Sequence, residues 1–167
     1  MNNNNLLNSY KYLSNWNPLI NLENTPSKIV VTCFIQKGNK FLILQRARRD
    51  LQYKLWGIPG GKLDKGETSI QGLIRELYEE LGIMFSNLDF NLLGTVKSKT
   101  ISDGEYGLFL YYVRVFKKID VKINKSEHLD FKWVTLDQFE THNLLLAQKE
   151  AYLYVSQKLK NLIKSDI

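Results

Sequence analysis

Three glutamates in one short segment, Glu76, Glu79 and Glu80, have the spacing of side chains that share one helix face. At roughly 100° per residue, they fall in an arc about 100° wide. Their like charges repel, at a cost of roughly a few tenths of a kcal/mol per pair. A divalent cation would reverse that cost, because Mg²⁺ prefers several oxygen ligands and adjacent helical turns supply them. The pattern indicates a metal site, and a solvated acidic helix is the alternative that the spacing leaves open.

The residues before this cluster suit the close approach of a ligand. Pro59, Gly60 and Gly61 let the backbone come near a bound molecule, because glycine has no side chain to clash. Gly66 then allows Glu67 to turn back towards the helical carboxylates. A fourth carboxylate near a bound metal can orient or deprotonate water.

The acidic cluster is predicted to lie on a helix from about Ser69 to Leu81. Thr68 and Gln71 form a capping-box pattern at its start, and Gly82 is placed to end it in a left-handed conformation. Arg75 precedes Glu79 by one helical turn, where it can pair with that carboxylate. The apolar stripe of the helix consists of Ile70, Leu73, Ile74, Leu77 and Leu81.

These residues together resemble the signature of the Nudix hydrolase family, with every defining position filled. The pattern is Gly61-x5-Glu67-x7-Arg75-Glu76-Leu77-x-Glu79-Glu80-x-Gly82-Ile83. The resemblance implies a Mg²⁺ site, which Mn²⁺ can also occupy, formed by Glu76, Glu79, Glu80 and the Gly60 carbonyl. The catalytic residues that it implies are Glu67, Arg75, Glu79, Glu80 and Glu127.

The carboxylate that acts on water varies within the family. The resemblance assigns that role to Glu67 in some members and to a carboxylate in a later loop in others. Glu127, just before the predicted strand that contains Trp133, is the candidate in this chain. A solvated loop glutamate is the alternative interpretation of Glu127.

The segment from Leu42 to Ala47 resembles the MutT-type nucleoside triphosphate pyrophosphohydrolases of that family. There an arginine at the position of Arg46 contacts phosphate, which suits guanidinium geometry, and a plain surface arginine is the alternative. Asn143 lies roughly where MutT-type proteins place a base-reading asparagine, with a helix cap as the rival role. The expected substrate-binding residues are Arg46, Trp56, Gly61, Lys62 and Asn143, although Trp56 is equally well explained as core.

The family pattern leaves three functions open. The favoured one is a nucleoside triphosphate pyrophosphohydrolase that releases a monophosphate and pyrophosphate. The second is a Nudix enzyme that acts on nucleotide sugars, dinucleoside polyphosphates or RNA 5′ ends, and the third is a non-catalytic nucleotide sensor. RNA is not favoured, because no strand shows interleaved aromatic and basic residues.

The surroundings of Asn143 lack a proline found in mutator proteins, which argues against specificity for oxidised guanine. His128 and His142 lack the spacing of a zinc site, and His128 is expected at the surface.

The remaining elements are predicted to form a mixed sheet covered by helices, an α/β (α+β) fold of the α/β/α sandwich type. Strands are expected at residues 29–36, 40–45, 92–99, 106–116 and 130–134, with turns at Gly38-Asn39 and Asp103-Gly104. An extended segment covers 55–59, and a final amphipathic helix covers about 145–163. Residues 1–27 are expected to be a partly disordered, asparagine-rich extension with one helical turn around 6–13. Residues 28–167 would form the Nudix domain.

Composition limits the partners and the compartment. A net charge of +6 is compatible with phosphate-bearing substrates. The single cysteine, Cys33, lies in an apolar run, where a buried inert thiol is expected, and it suits a reducing cytoplasm. No apolar run is long enough to span a membrane. The sequence therefore predicts a cytoplasmic monomer or homodimer that binds a nucleotide and no membrane.

Overall fold

The computed structural model describes residues 10–15, 26–47, 52–86, 89–100 and 104–164 of the 167-residue chain. Within these ranges eight strands form one mixed sheet, in which β2 and β7 are parallel and the other pairs are antiparallel. The strands are β1 (Tyr10–Asn15), β2 (Lys28–Lys37), β3 (Lys40–Arg46), β4 (Trp56–Gly57), β5 (Gly60–Lys62), β6 (Asn91–Thr100), β7 (Gly104–Arg114) and β8 (His128–Val134). The helices are α1 (Ser69–Leu81), α2 (Leu136–Thr141) and α3 (Leu146–Lys164).

The sheet order places β2 at the centre, where it has neighbours on both sides. The main path runs β1-β6-β7-β2-β3-β4, while β5 pairs with β2 and β8 pairs with β3. Because both faces of β2 are covered, its residues are buried continuously from Val31 to Gln36. This arrangement brings the Gly60-Gly61 segment directly beside the central strand.

Each face of the sheet has its own apolar core. On one face, α1 packs its leucines against Val31, Cys33 and Ile35 of β2. On the other face, the cluster contains Phe34 of β2 together with residues of α2 and α3, including Phe139 and Tyr152. Successive side chains of β2 therefore point to opposite faces, as strand geometry requires. The predicted α/β/α sandwich with a mixed sheet is confirmed.

Helix α1 begins and ends at the predicted residues. The Thr68 side chain accepts from the Gln71 N–H, and Gln71 accepts from the Thr68 N–H, so the capping box is complete. Gly82 adopts φ 66°, a left-handed conformation that glycine tolerates without steric cost. Leu73, Leu77 and Leu81 are fully buried. Burial of such a side chain contributes about 1.5–3 kcal/mol, which fixes the helix against the sheet.

Several other sequence predictions are confirmed and some are wrong. The predicted Gly38-Asn39 hairpin joins β2 to β3. Cys33 is buried as predicted, and burial raises the pKa of its thiol. The predicted helical turn is wrong for residues 10–13, which belong to β1 and pair with β6. Helix α2 was not predicted from the sequence. Residues 1–9 and 16–25 of the extension and Asp103 lie outside the described residues, and the boundary near residue 28 stays a prediction.

The two longer helices, α1 and α3, are amphipathic and pack on the sheet. No helix in the described ranges has the length and apolar character needed to cross a membrane.

Candidate active site

Arg75, in the middle of α1, is the centre of an ionic network. Its Nε and Nη2 atoms donate to the two oxygens of Glu67 at 2.8 and 2.9 Å, a bidentate pairing. Its Nη1 atom donates to Glu76 at 2.9 Å and to Glu79 at 3.2 Å, and Nη2 also donates to the Lys62 carbonyl at 2.9 Å. One guanidinium thus connects the loop before α1 to two carboxylates of the helix.

Glu67 is held by this network as an ionised group. The hydrogen bond from Arg75, with a second from the Asp64 N–H, lowers the pKa of Glu67 from 4.5 to about 2. Gly66, at φ 92°, provides the turn that aims Glu67 at the helix, as predicted. Because a general base works best with a pKa near the working pH, this environment makes Glu67 a poor proton acceptor at neutral pH.

Glu76 lies against the backbone of Gly61. A Cβ placed on Gly61 would collide with the Glu76 carboxylate, so only glycine permits this approach. Burial raises the pKa of Glu76, and the nearby charges of Glu80 and Glu79 add to that rise, whereas the bond from Arg75 opposes it. The site therefore holds several carboxylates whose mutual repulsion a bound cation would relieve.

Glu80 is the buried member of the acidic cluster, with 3% of its surface exposed. One of its oxygens accepts from the Gly60 N–H at 2.8 Å, and the other lies 2.8 Å from Nε2 of His128. His128 is also 3% exposed, so the prediction of a surface histidine is wrong. The reason is tertiary, because β8 pairs with β3 and places His128 beside a helix that is remote in sequence. The other ring nitrogen, Nδ1, is buried without a hydrogen-bond partner among the described residues.

Glu127 joins Glu80 and His128 at the end of the loop that precedes β8. One ligand atom from each of these three residues lies within 4.8 Å of the others, a spacing that suits a metal ion. Asn124 fixes the loop, because its N–H donates to the Glu80 carbonyl at 2.9 Å and its side chain donates to Glu127 at 2.9 Å. The structure thus brings the predicted loop carboxylate to the helical cluster.

The donor set in this region fits a divalent cation. Glu76, Glu79, Glu80 and Glu127 supply carboxylate oxygens, which hard cations such as Mg²⁺ prefer. Glu76 and Glu79 are bound by Arg75 and lie outside the compact group formed by Glu80, Glu127 and His128. The predicted ligands Gly60, Glu76, Glu79 and Glu80 stay a prediction. The structure places Glu127 and His128 beside Glu80, and His128 was not predicted to lie at the site.

Some of the predicted substrate-binding residues lie near the acidic site, and Trp56 lies in the core. Arg46 of β3 lies opposite His128 of β8 in the register of the two strands. The buried Nε of Arg46 has no hydrogen-bond partner among the described residues. The Lys62 side chain is exposed near Arg75, which binds its carbonyl. Trp56 is 7% exposed within the core, where Lys132 lies 4.6 Å over its ring. The structure thus supports the interpretation of Trp56 as a core residue.

Asn143 is exposed, and its carbonyl accepts from the Trp56 N–H at 2.9 Å. Helix α3 begins at Leu146, too far along the chain for Asn143 to be its N-cap. The capping role that the sequence left open is therefore excluded, and the base-reading role stays a prediction.

The matches to known proteins agree with this geometry. The NUDIX domain model matches residues 26–155, which is most of the chain. A nucleoside triphosphate pyrophosphatase/Nudix hydrolase fusion protein of Bifidobacterium longum is 31% identical over 131 residues, 75% of this chain but only 26% of that protein. An RNA pyrophosphohydrolase of Pelagibacter ubique is 27% identical over 142 residues, 77% of this chain and 88% of that protein.

Similarity to solved structures extends to the tertiary fold. The crystal structure of a MutT NUDIX hydrolase from Burkholderia pseudomallei superposes with a TM-score of 0.65 at 25% identity. The aligned region covers 74% of this chain and 94% of that one. The signature helix and the carboxylate cluster are both present, and the family model matches most of the chain. The chain therefore belongs to the NUDIX domain family and is a Nudix hydrolase, an enzyme that acts on nucleotide diphosphate linkages.

Proposed function

We propose that this enzyme is a Mg²⁺-dependent, MutT-like pyrophosphohydrolase of nucleoside triphosphates. Water adds to a phosphorus of the α–β linkage, the bridging P–O bond breaks, and a nucleoside monophosphate and pyrophosphate leave. The observation that carries the proposal is the convergence of Glu76, Glu80 and Glu127 beside the Gly60-Gly61 backbone. The MutT title of the similar structure supports this substrate class.

The carboxylates of α1 would hold the cation, and Glu127 would lie beside it, next to Glu80. Such a cation neutralises phosphate charge and lowers the pKa of water when it is bound. The Gly60 N–H and His128 hold Glu80 in one orientation, and Arg75 does the same for Glu76 and Glu79. The protein's contribution is thus a set of oxygen ligands whose positions are fixed before substrate arrives.

Glu127 is our candidate for the residue that takes the proton from water. Both oxygens of Glu67 are occupied by strong donors, and its pKa of about 2 leaves it little basicity. Glu127 is exposed to solvent and lies next to Glu80. Glu67 therefore acts as an anchor for Arg75 in this proposal, rather than as the base.

Arg46 is our candidate for the phosphate contact. Its position opposite His128 places its side chain on the same face of the sheet as the acidic site. In the described part of the chain the buried Nε of Arg46 has no acceptor, and such a group is costly unless a ligand supplies one. A phosphate oxygen of the substrate would satisfy it. Asn143 remains the candidate for reading the base.

The test compares the variant Glu80→Gln with Glu105→Gln, a matched change on β7 that leaves the acidic cluster intact. Release of pyrophosphate is measured for the common ribo- and deoxyribonucleoside triphosphates at saturating Mg²⁺. We expect Glu80→Gln to lower kcat by several orders of magnitude and Glu105→Gln to leave it unchanged. Near-normal turnover by Glu80→Gln, or no triphosphate hydrolysed by the unmodified enzyme, would overturn the proposal.

A further inference from the structure

The segment 143–148, which leads into α3, pairs with the short strand β4. The Trp56 N–H donates to the Asn143 carbonyl at 2.9 Å, and the Leu145 N–H donates to the Trp56 carbonyl at 2.8 Å. Between these two bonds, Leu144 and Trp56 form a parallel β-bridge. Because β4 pairs with β3 on its other side, the segment takes the place of a further strand at this end of the sheet.

Gln148 continues this pairing with its side chain. Its Oε1 accepts from the Ile58 N–H at 2.5 Å, and its Nε2 donates to the Ile58 carbonyl at 3.1 Å. A primary amide carries a donor and an acceptor in one plane, so it can pair with both backbone groups of one residue as a neighbouring strand would. Gly57 permits this approach, because a Cβ there would collide with the Gln148 amide. Ile58 is 4% exposed, and its backbone groups would be costly to leave unpaired.

The residues after Ile58 transmit its position to the carboxylate cluster. The proline ring fixes φ of Pro59 and restricts the residue before it, so Ile58 and Gly60 are joined by a stiff connection. The Pro59 carbonyl accepts from the Cys33 N–H of β2 at 3.0 Å. The Gly60 N–H then donates to the buried carboxylate of Glu80 at 2.8 Å. The direction of the Gly60 N–H therefore depends on β2 on one side and on Gln148 on the other.

Helix α3 does not need Gln148 in order to dock on the sheet. Four side chains of this helix are buried in the core that it shares with β2, to 1% exposure or less: Ala151, Tyr152, Val155 and Leu159. Burial of apolar side chains of this size contributes far more than one hydrogen-bonded amide. The two bonds of Gln148 therefore serve the backbone at Ile58 rather than the attachment of the helix.

We propose that Gln148 is a positioning residue for the carboxylate site, which holds Ile58 so that the Gly60 N–H meets Glu80. Gln148 acts through the backbone and has no contact with substrate in this inference. Its effect on turnover rests on the proposed function, whereas its effect on Gly60 can be measured without metal or substrate. Partners that orient a metal ligand from behind commonly matter ten- to a hundredfold for activity, at roughly that magnitude for each partner.

The test compares Gln148→Met with Gln157→Met. Methionine is about as long as glutamine but cannot make either hydrogen bond with the Ile58 backbone. Gln157 is exposed on the same helix, where its amide donates to Asn161. Amide hydrogen exchange of the full chain is measured by NMR without metal or substrate. In Gln148→Met we expect the Ile58 and Gly60 amides to exchange about tenfold faster, while the amides of β7 keep their rates. In Gln157→Met both amides should exchange as in the unmodified protein.

The second readout is pyrophosphate release from nucleoside triphosphates at saturating Mg²⁺, well below the melting temperature of each variant. We expect Gln148→Met to lower kcat about tenfold or more and to leave KM nearly unchanged. Gln157→Met should keep both values. A residue that only supports the fold would lower the melting temperature without this separation of kcat from KM.

Unchanged exchange of the Gly60 amide in Gln148→Met would overturn the inference, even if the Ile58 amide exchanged faster. Equal acceleration of the amides of β7, an equal effect in Gln157→Met, or a normal kcat in Gln148→Met would also overturn it. Should Gln148→Met fail to fold, Gln148→Ala removes the same two bonds and provides the comparison. If neither variant folds, Gln148 supports the fold as a whole and the inference fails. If the unmodified enzyme hydrolyses no triphosphate, the proposed function fails, and exchange at Gly60 still decides the inference.

Discussion

At the scale of single residues, Glu80 depends on partners that are far away in the sequence. It is almost fully buried, and a buried carboxylate is costly unless its oxygens are hydrogen-bonded. The Gly60 N–H satisfies one oxygen and His128 the other. His128 therefore acts as a positioning residue for a ligand of the proposed cation, a kind of support that fixes side chains around metal sites.

Replacing His128 with Ala should leave one oxygen of Glu80 buried and unpaired. We expect a loss of about 1.5–3 kcal/mol in the free energy of unfolding, together with a lower kcat. His128→Gln, whose amide can donate in place of Nε2, should recover part of the kcat. The measurements are urea unfolding and pyrophosphate release, with His142→Ala as the control because the His142 ring bonds the backbone carbonyl of Gln138 and packs against Trp56, not against Glu80. Unchanged kcat in His128→Ala would show that Glu80 needs no such support.

At the scale of elements, Arg75 connects the loop before α1 to the middle of the helix. The capping box fixes where α1 begins, and the bidentate pair fixes where Glu67 lies relative to it. Gly72 allows this contact, since a Cβ there would meet Leu63 and an oxygen of Glu67. The loop and the helix are thus one unit, and its strongest ionic link is the pair of Glu67 and Arg75.

This link predicts a specific dependence of stability on pH. Folding lowers the pKa of Glu67 from 4.5 to about 2, so the fold favours its ionised form. The resulting stabilisation is fully present above about pH 4.5 and is lost as the pH falls towards 2. Unfolding free energies of the unmodified protein and of Glu67→Gln should therefore differ most near pH 6 and converge between pH 4.5 and 2. A difference that does not change with pH would mean that Arg75 does not hold Glu67 in solution.

At the scale of the whole molecule, the acidic site joins carboxylates from α1 and from the loop before β8. Repulsion between the carboxylates of α1 and Glu127 is only partly offset by Arg75. Mg²⁺ usually divides its coordination between a few carboxylates and the phosphates of a substrate. Metal and nucleotide should therefore stabilise the folded protein cooperatively.

A melting series checks this cooperativity with Mg²⁺ alone, with a triphosphate analogue that resists hydrolysis at the α–β linkage, and with both. At about a hundredfold excess over Kd, combined binding adds about 2.7 kcal/mol. For a chain of this length that corresponds to roughly 5–10 °C in Tm. Each component alone should give a much smaller shift. A full shift with Mg²⁺ alone would instead indicate a structural ion that binds before substrate.

The sequence by itself determined the elements whose contacts are local. The capping box, the left-handed Gly82 and the apolar stripe predicted the first and last residues of α1, because contacts between residues three or four positions apart determine where a helix forms. The Gly38-Asn39 turn fixed the β2–β3 hairpin for the same reason. The spacing of Glu67, Arg75 and the helical glutamates was also sufficient to identify the family.

The tertiary structure alone decided which distant residues meet. The asparagine-rich start was expected to include a helical turn, but Tyr10–Asn15 pairs with β6, which no local pattern specifies. His128 was expected at the surface until the pairing of β8 with β3 buried it beside Glu80. In each case the deciding contact joins residues far apart in the chain, and only the folded sheet brings them together.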